Sequence, residues 1–111
     1  MPYNEELDEM IQAIIKDWPS FARKKMFGGT GYLINGNMCF GVYRDSLVLR
    51  VGEEGENKLK KENYYHQFDI TGRRMKGWVM VDESGWKNPK ELKRLMTMAK
   101  EYVLQLPSKK Y

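Results

Sequence analysis

Apolar residues in the first part of the chain recur at the spacing of an amphipathic helix. Across residues 5–18 they are Leu7, Met10, Ile11, Ile14, Ile15 and Trp18, a repeat at i, i+3, i+4 and i+7 that forms one stripe. Asn4 is placed to cap this helix, and Pro19 is placed to end it. We therefore expect an N-terminal helix with one buried side.

A second helical pattern closes the chain. Asn88, Pro89 and Glu91 form a helix start, with the amide at the N-cap, proline at the first helical position and glutamate at the third. An apolar stripe follows, consisting of Leu92, Leu95, Met96, Ala99, Tyr102, Val103 and Leu106. This pattern predicts a long C-terminal helix that ends by Pro107.

Between residues 23 and 51 the pattern changes to short alternating runs separated by turns. It predicts strands at 24–27, 30–34, 38–43 and 47–51. Asn35-Gly36 predicts a two-residue hairpin turn, because both central positions of a type I′ turn need positive φ. Simple alternation would place Met38, Phe40 and Val42 on one face of the third strand, and Cys39, Gly41 and Tyr43 on the other.

The segment from 52 to 87 is less regular. It predicts a short helix at 53–63, a strand at 68–70, a polar loop at 71–77, a strand at 78–81 and a turn at 82–87. The whole order predicts one α+β domain over residues 1–111. We expect an antiparallel sheet of five to six strands with the terminal helices packed mainly on one face, a two-layer sandwich.

The composition is typical of a globular protein and indicates the cellular compartment in which it works. The chain has 111 residues, of which 41% are hydrophobic and 31% charged. No apolar run approaches the ~20 residues that cross a bilayer, and the acidic start does not resemble a secretory signal, so we expect no membrane partner. A single cysteine excludes an internal disulfide and fits a reducing cytoplasm.

Candidate catalytic residues are isolated from one another. Cys39 lies in an apolar strand, which is typical of a small buried hydrophobe rather than a reactive thiolate. His66 is the single histidine, and strand geometry would separate it from Asp69. Asp82 and Glu83 lack a second acidic cluster, and no glycine-rich nucleotide motif occurs. The sequence therefore predicts a protein that is not an enzyme and that has no metal or cofactor.

Basic and aromatic residues offer a candidate binding surface. The net charge is +4, concentrated in residues 23–27 and 87–111, while residues 1–22 are acidic. The candidate residues for binding nucleic acid or a partner are Arg23, Lys25, Arg50, Arg73, Arg74, Lys76 and Trp86. Trp86 is included as an exposed anchor in a turn. A charged strand edge that discourages strand addition is the alternative interpretation of Arg23–Lys25.

One run is more specific than these patterns. Lys25, Met26, Phe27, Gly28 and Gly29 follow two further basic residues and precede Thr30-Gly31-Tyr32. This run resembles the start of the TfoX/Sxy N-terminal domain. The later Asn35-Gly36-Asn37-Met38, the strand at 47–51 and the aromatic strand ending near Asp82 match that domain in order and spacing, so the resemblance covers roughly residues 5–106.

The resemblance implies both a fold and a class of function. Proteins of this family resemble an α+β sandwich, and the full-length bacterial members are competence regulators that work with the transcription machinery. They carry a helical C-terminal domain, which we expect to be absent from this chain. The resemblance implies a non-enzymatic interaction module with a protein partner. Direct nucleic-acid binding is the alternative, an enzyme is a weaker one, and homodimer formation stays open.

Overall fold

Six strands and four helices are found in the computed structural model, which describes residues 4–18, 21–26, 29–68, 72 and 75–107. The strands are β1 (Ala22–Met26), β2 (Gly29–Ile34), β3 (Asn37–Tyr43), β4 (Ser46–Arg50), β5 (Tyr65–Gln67) and β6 (Trp78–Val81). The helices are α1 (Glu5–Ile15), α2 (Gly52–Leu59), α3 (Glu83–Trp86) and α4 (Pro89–Val103). The predicted α+β class is confirmed.

All six strands form one antiparallel sheet in the order β1-β2-β3-β4-β6-β5. The first four strands are the predicted meander. At the β2–β3 turn, Asn35 has a φ of 54° and Gly36 a φ of 79°, as the hairpin turn requires. The helix α2 interrupts the meander, so that β6 rather than β5 pairs with β4.

The helix boundaries follow the predicted caps. The Asn4 side chain accepts a hydrogen bond from the Leu7 backbone N–H at 2.9 Å, and Asn88 caps α4 through the N–H groups of Lys90 and Glu91. The helix α1 ends at Ile15, three residues before its predicted end. No helix in the described ranges has the length and apolarity to cross a membrane.

The four helices share one side of the sheet, which we call the inner face. A single apolar cluster joins helix residues such as Leu7, Leu59 and Leu95 to strand residues such as Leu47 and Val79, all 0–1% exposed. The prediction that helices pack mainly on one face is therefore confirmed for the described residues.

The position of Trp86 differs from the prediction. Residues 83–86 form a helical turn capped by Asp82 instead of an open turn, and Trp86 is fully buried in the inner cluster. Its indole Nε1–H donates to the Asp45 carbonyl at 2.9 Å. An indole with its N–H satisfied inside a core is a packing element, so Trp86 is not an exposed anchor.

The alternation predicted for β3 is also wrong at its start. Tyr32 pairs with Phe40 but Leu33 pairs with Met38, so Cys39 is the extra residue of a β-bulge. Cys39 and Phe40 both belong to the inner cluster, whereas Met38 packs on the opposite side of the sheet.

The strand predicted at 68–70 is not found at Phe68. The observed strand β5 is Tyr65–Gln67, and residues 69 and 70 lie outside the described residues. Phe68 follows β5 and is not paired in the sheet. Its carbonyl accepts a hydrogen bond from the Met75 N–H at 3.2 Å, and its ring packs against Trp78. The predicted helix at 53–63 is confirmed over Gly52–Leu59.

Candidate interaction surface

The side of the sheet away from the helices, here called the outer face, carries a second apolar cluster. Its buried members are Leu33, Met38, Val48 and Phe68, and Tyr43, Trp78 and Met80 pack against them half-buried. No helix residue within the described ranges belongs to this cluster. Because the buried members are already covered within the chain, the accessible part of this cluster is the half-buried side chains of Tyr43, Trp78 and Met80.

Two glycines lie side by side in the ladder at the centre of the outer face. Gly31 of β2 pairs with Gly41 of β3, and Gly41 pairs with Val48 of β4. A Cβ at Gly41 would meet the Thr30 carbonyl oxygen at 2.3 Å and the Met38 Cε at 3.1 Å. The Met38 side chain therefore fills the space above Gly41, where a larger residue would displace it.

Two aromatic rings on this face each lie beneath a guanidinium. The Arg50 Cζ is 5.3 Å from the centroid of the Trp78 ring, and the Arg44 Cζ is 5.2 Å from that of Tyr43. Both distances fall within the range of a cation–π contact. The strand spacing and the rise along β4 put the two pairs about 16 Å apart on the diagonal of the sheet.

The predicted basic residues do not all share this face. Arg50 lies on it, but the β1 register places Arg23 and Lys25 on the inner side and Lys24 on the outer side. Lys76 is exposed in the loop before β6. Arg73 and Arg74, with Phe27 and Gly28 of the family motif, lie outside the described residues. Among the described candidates, Arg23 and Lys25 therefore lie on the opposite side of the sheet from Arg50.

Arg23 is held by a buried carboxylate that the sequence analysis did not identify. Its Nη2 donates to Asp8 Oδ2 at 2.8 Å, and its Nε donates to the Tyr32 hydroxyl at 3.3 Å. Asp8 is 4% exposed and also accepts from that hydroxyl at 2.5 Å. The hydrogen bond to Asp8 raises the pKa of Arg23, while burial raises the pKa of Tyr32.

Gly29, at the end of the family motif, has a packing role. A Cβ at this position would meet the Val42 carbonyl oxygen at 1.9 Å, so only glycine lets β2 pass β3 here. Met26 ends β1 and pairs with Gly29 in the ladder. Gly29 and Met26 thus take part in the motif through their backbone, and Lys25 adds an exposed ammonium group to β1.

His66 lies on the outer side of β5 and contacts a carboxylate that the sequence analysis did not pair with it. Its Nε2 is 2.7 Å from Asp82 Oδ2, and Asp82 Oδ1 accepts from the Ser84 hydroxyl at 2.6 Å. Burial acts to raise the pKa of Asp82, but the hydrogen bonds from Ser84 and His66 outweigh it and hold the pKa below its ordinary value. The serine bonds to the carboxylate instead of the imidazole, so the imidazole is not placed to activate it.

Two further candidates from the sequence are the thiol of Cys39 and a metal site built from acidic side chains. Cys39 is buried, and burial raises the pKa of its thiol to about 12, which keeps it protonated at neutral pH. Within the described residues, no group of three or more histidine, cysteine, aspartate or glutamate side chains is placed to hold a metal ion.

Comparison with known proteins gives one match. The sequence model described as the TfoX N-terminal domain matches residues 13–102, most of the chain. No curated protein and no solved structure matches.

Proposed function

The chain belongs to the TfoX N-terminal domain family, and from this premise we propose that it is a non-enzymatic interaction module that binds a protein of the transcription machinery. The observation that carries the proposal is the pair of half-buried aromatic rings on the outer face, Tyr43 and Trp78, each with a guanidinium over it. We further propose that the protein works in the cytoplasm, where its one thiol, Cys39, stays reduced.

The composition of the outer face is that of a protein contact. Tryptophan, tyrosine, arginine and methionine are the residue types enriched where proteins bind one another, and the first three dominate binding energy. The outer face combines Trp78, Tyr43, Arg50 and Met80. Trp78 and Tyr43 are half-buried, so their rings are already positioned, and little side-chain entropy is lost on binding.

The charges of this face define the partner's chemistry. Lys24, Arg44 and Arg50 bring positive charge to the same side as the aromatic rings. The carboxylate of Asp82 is already paired with His66. We therefore propose a partner that presents a small apolar patch flanked by carboxylates, which would lie over the two guanidinium groups.

The test compares two charge reversals on opposite sides of the molecule. Arg50→Glu changes the outer face, and Lys93→Glu makes the same change at an exposed position of α4. A transcription protein recovered with the chain is purified, and its binding to wild type and both variants is measured by calorimetry. We expect Arg50→Glu to weaken binding at least tenfold and Lys93→Glu to leave it unchanged. Equal loss in both variants, or none in either, contradicts the proposed surface.

Nucleic-acid binding is the second candidate, and one observation favours it. Nucleobases stack on accessible aromatic rings and guanidinium planes, and the outer face provides two half-buried rings with a guanidinium over each. Labelled single- and double-stranded oligonucleotides are titrated with the protein at low and near-physiological salt. Salt-sensitive binding that Arg50→Glu removes would replace the protein partner with nucleic acid.

A second copy of the chain is a further outcome of these experiments. The molar mass in solution is measured for wild type and Arg50→Glu by light scattering. A wild-type dimer that the substitution dissociates would identify the outer face as a homodimer interface.

A further inference from the structure

A groove lies on the inner side of the sheet, between the end of α1 and strand β1. Its volume is about 360 Å³, and its lining includes Trp18, Phe21, Tyr32, Lys16 and Arg23. This volume falls within the roughly 300–1,000 Å³ of small-molecule sites. The groove is separate from the outer face, so what it binds does not depend on the partner proposed above.

The apolar wall of the groove is a set of packed rings. The centroids of Trp18 and Phe21 are 6.2 Å apart, and the Phe21 ring lies 5.2 Å from the fully buried Phe40. The Lys100 Nζ lies 4.2 Å from the Trp18 ring centroid and adds positive charge beside it. Such a wall suits a flat aromatic ring, which can pack against rings at offset or tilted angles.

The polar side of the groove is a guanidinium held in a fixed plane. The side chain of Asp8 is 5% exposed and that of Arg23 is 43% exposed. The buried Asp8 carboxylate accepts from Arg23, Tyr32 and Gln12, and Tyr32 also accepts from the Arg23 Nε. A buried carboxylate thus orients an accessible guanidinium, the arrangement by which proteins prepare arginine to bind a planar anion.

The charge of this groove contrasts with that of a second one. A cavity of about 340 Å³ between α2 and α4 is lined by Glu53, Glu54 and Glu101 together with Lys58 and Tyr102. Three carboxylates against one ammonium disfavour an anion there. The α1–β1 groove instead has Lys16 and Arg23 in its lining and Lys100 over one wall. The α1–β1 groove thus combines three aromatic side chains with two basic ones, and none of its described lining residues carries a carboxylate.

We propose that the α1–β1 groove binds a small aromatic carboxylate. The ring packs against Trp18 and Phe21, and the carboxylate accepts hydrogen bonds from Arg23 with Lys16 nearby. Since the ion pair with Asp8 also ties β1 to α1, the experiment must separate ligand binding from a purely structural role of Arg23.

The first experiment titrates the whole chain with 4-hydroxyphenylacetate and with the uncharged 4-hydroxyphenylacetamide by calorimetry. The two probes have the same ring and differ in the charge of one group. We expect the acid to bind at least about tenfold more tightly, the fold-change of one charge-assisted hydrogen bond. Equal affinity for the two probes, or no binding of the acid at millimolar concentration, overturns the proposal.

The second experiment locates the site. Arg23→Gln should reduce affinity for the acid about tenfold or more, whereas Lys24→Gln, on the opposite side of the same strand, should not. Because Arg23→Gln leaves Asp8 without its ion pair and could impair folding, the acid is also titrated into the wild-type protein and followed by NMR. Shifts at the Trp18 indole N–H and the Arg23 Nε–H are expected. Shifts confined to other residues, or equal losses in both variants, overturn the proposal.

Discussion

The two partners of the Asp8–Arg23 ion pair should contribute unequally to stability. Replacing Arg23, the more exposed partner, should lower the free energy of unfolding more than replacing Asp8. Arg23→Gln leaves a carboxylate whose side chain is 5% exposed without its cation. Breaking a buried ion pair in this way costs roughly 3–5 kcal/mol. Tyr32 and Gln12 still donate to Asp8, so we expect the lower end of that range, a loss of about 3 kcal/mol of unfolding free energy.

The reverse substitution removes the carboxylate and keeps the guanidinium. Asp8→Asn retains the side-chain volume and an oxygen acceptor, and the Arg23 side chain that loses its ion pair is already 43% exposed. Water can solvate that guanidinium, so the loss reduces to one charge-assisted hydrogen bond, about 1.5 kcal/mol. The variant carrying both substitutions should be more stable than Arg23→Gln alone, because the unpaired buried charge is gone.

Urea unfolding of the wild type, the two single variants and the double variant measures these differences. Lys25→Gln, two residues along β1, removes the same charge at an exposed position and should change stability by less than about 0.5 kcal/mol. If Asp8→Asn proved as destabilising as Arg23→Gln, or the double variant the least stable of all, burial of the carboxylate would not control the energetics of this pair.

Three further results are expected. Trp86→Phe should lower the unfolding free energy by about 2 kcal/mol, because it removes buried volume and the hydrogen bond to the Asp45 carbonyl; an unchanged urea midpoint would contradict this. The thiol of Cys39, with its pKa raised to about 12 by burial, should react with a disulfide reagent at neutral pH only as fast as the protein opens, so immediate stoichiometric labelling would show it to be accessible. The Arg94 guanidinium holds the pKa of Glu91 below its ordinary value of 4.5, so this carboxylate contributes stability above pH 4.5 that is lost as the pH falls through its lower folded value. Glu91→Gln should therefore lower the melting temperature slightly at neutral pH and weaken its decline in acid, and parallel profiles for variant and wild type would refute the assignment.

Local patterns in the sequence predicted most of the fold. The caps at Asn4 and Asn88 and the turn at Asn35-Gly36 act through neighbouring backbone groups, so their signals are short and were confirmed. Trp86 was misplaced because a tryptophan beside glycine in a short polar segment has the composition of an open turn. Its burial depends on contact with Asp45, 41 positions away.

The candidate sites were predicted less well because they depend on pairing across the fold. The outer face requires the register that brings Arg50 beside Trp78, which the sequence of either strand alone does not contain. Asp8 could have been identified as a site residue from the sequence. It lies three residues before Ile11 and seven before Ile15, within the apolar stripe of α1, where an acidic side chain needs a buried partner.

Because of the bulge at Cys39, the length of β3 decides which of its side chains face the helices and which face outward. Before the bulge, even-numbered residues of β3 point outward, as Met38 does, and after it even-numbered residues such as Phe40 and Val42 point inward. Deleting one residue here would restore simple alternation, but it would send either Met38 into the helical layer or Phe40 out of it. The hairpin should therefore tolerate a substitution in β3 more readily than a deletion. A relative with a β3 shorter by one residue would need different side-chain sizes on both sides of the sheet.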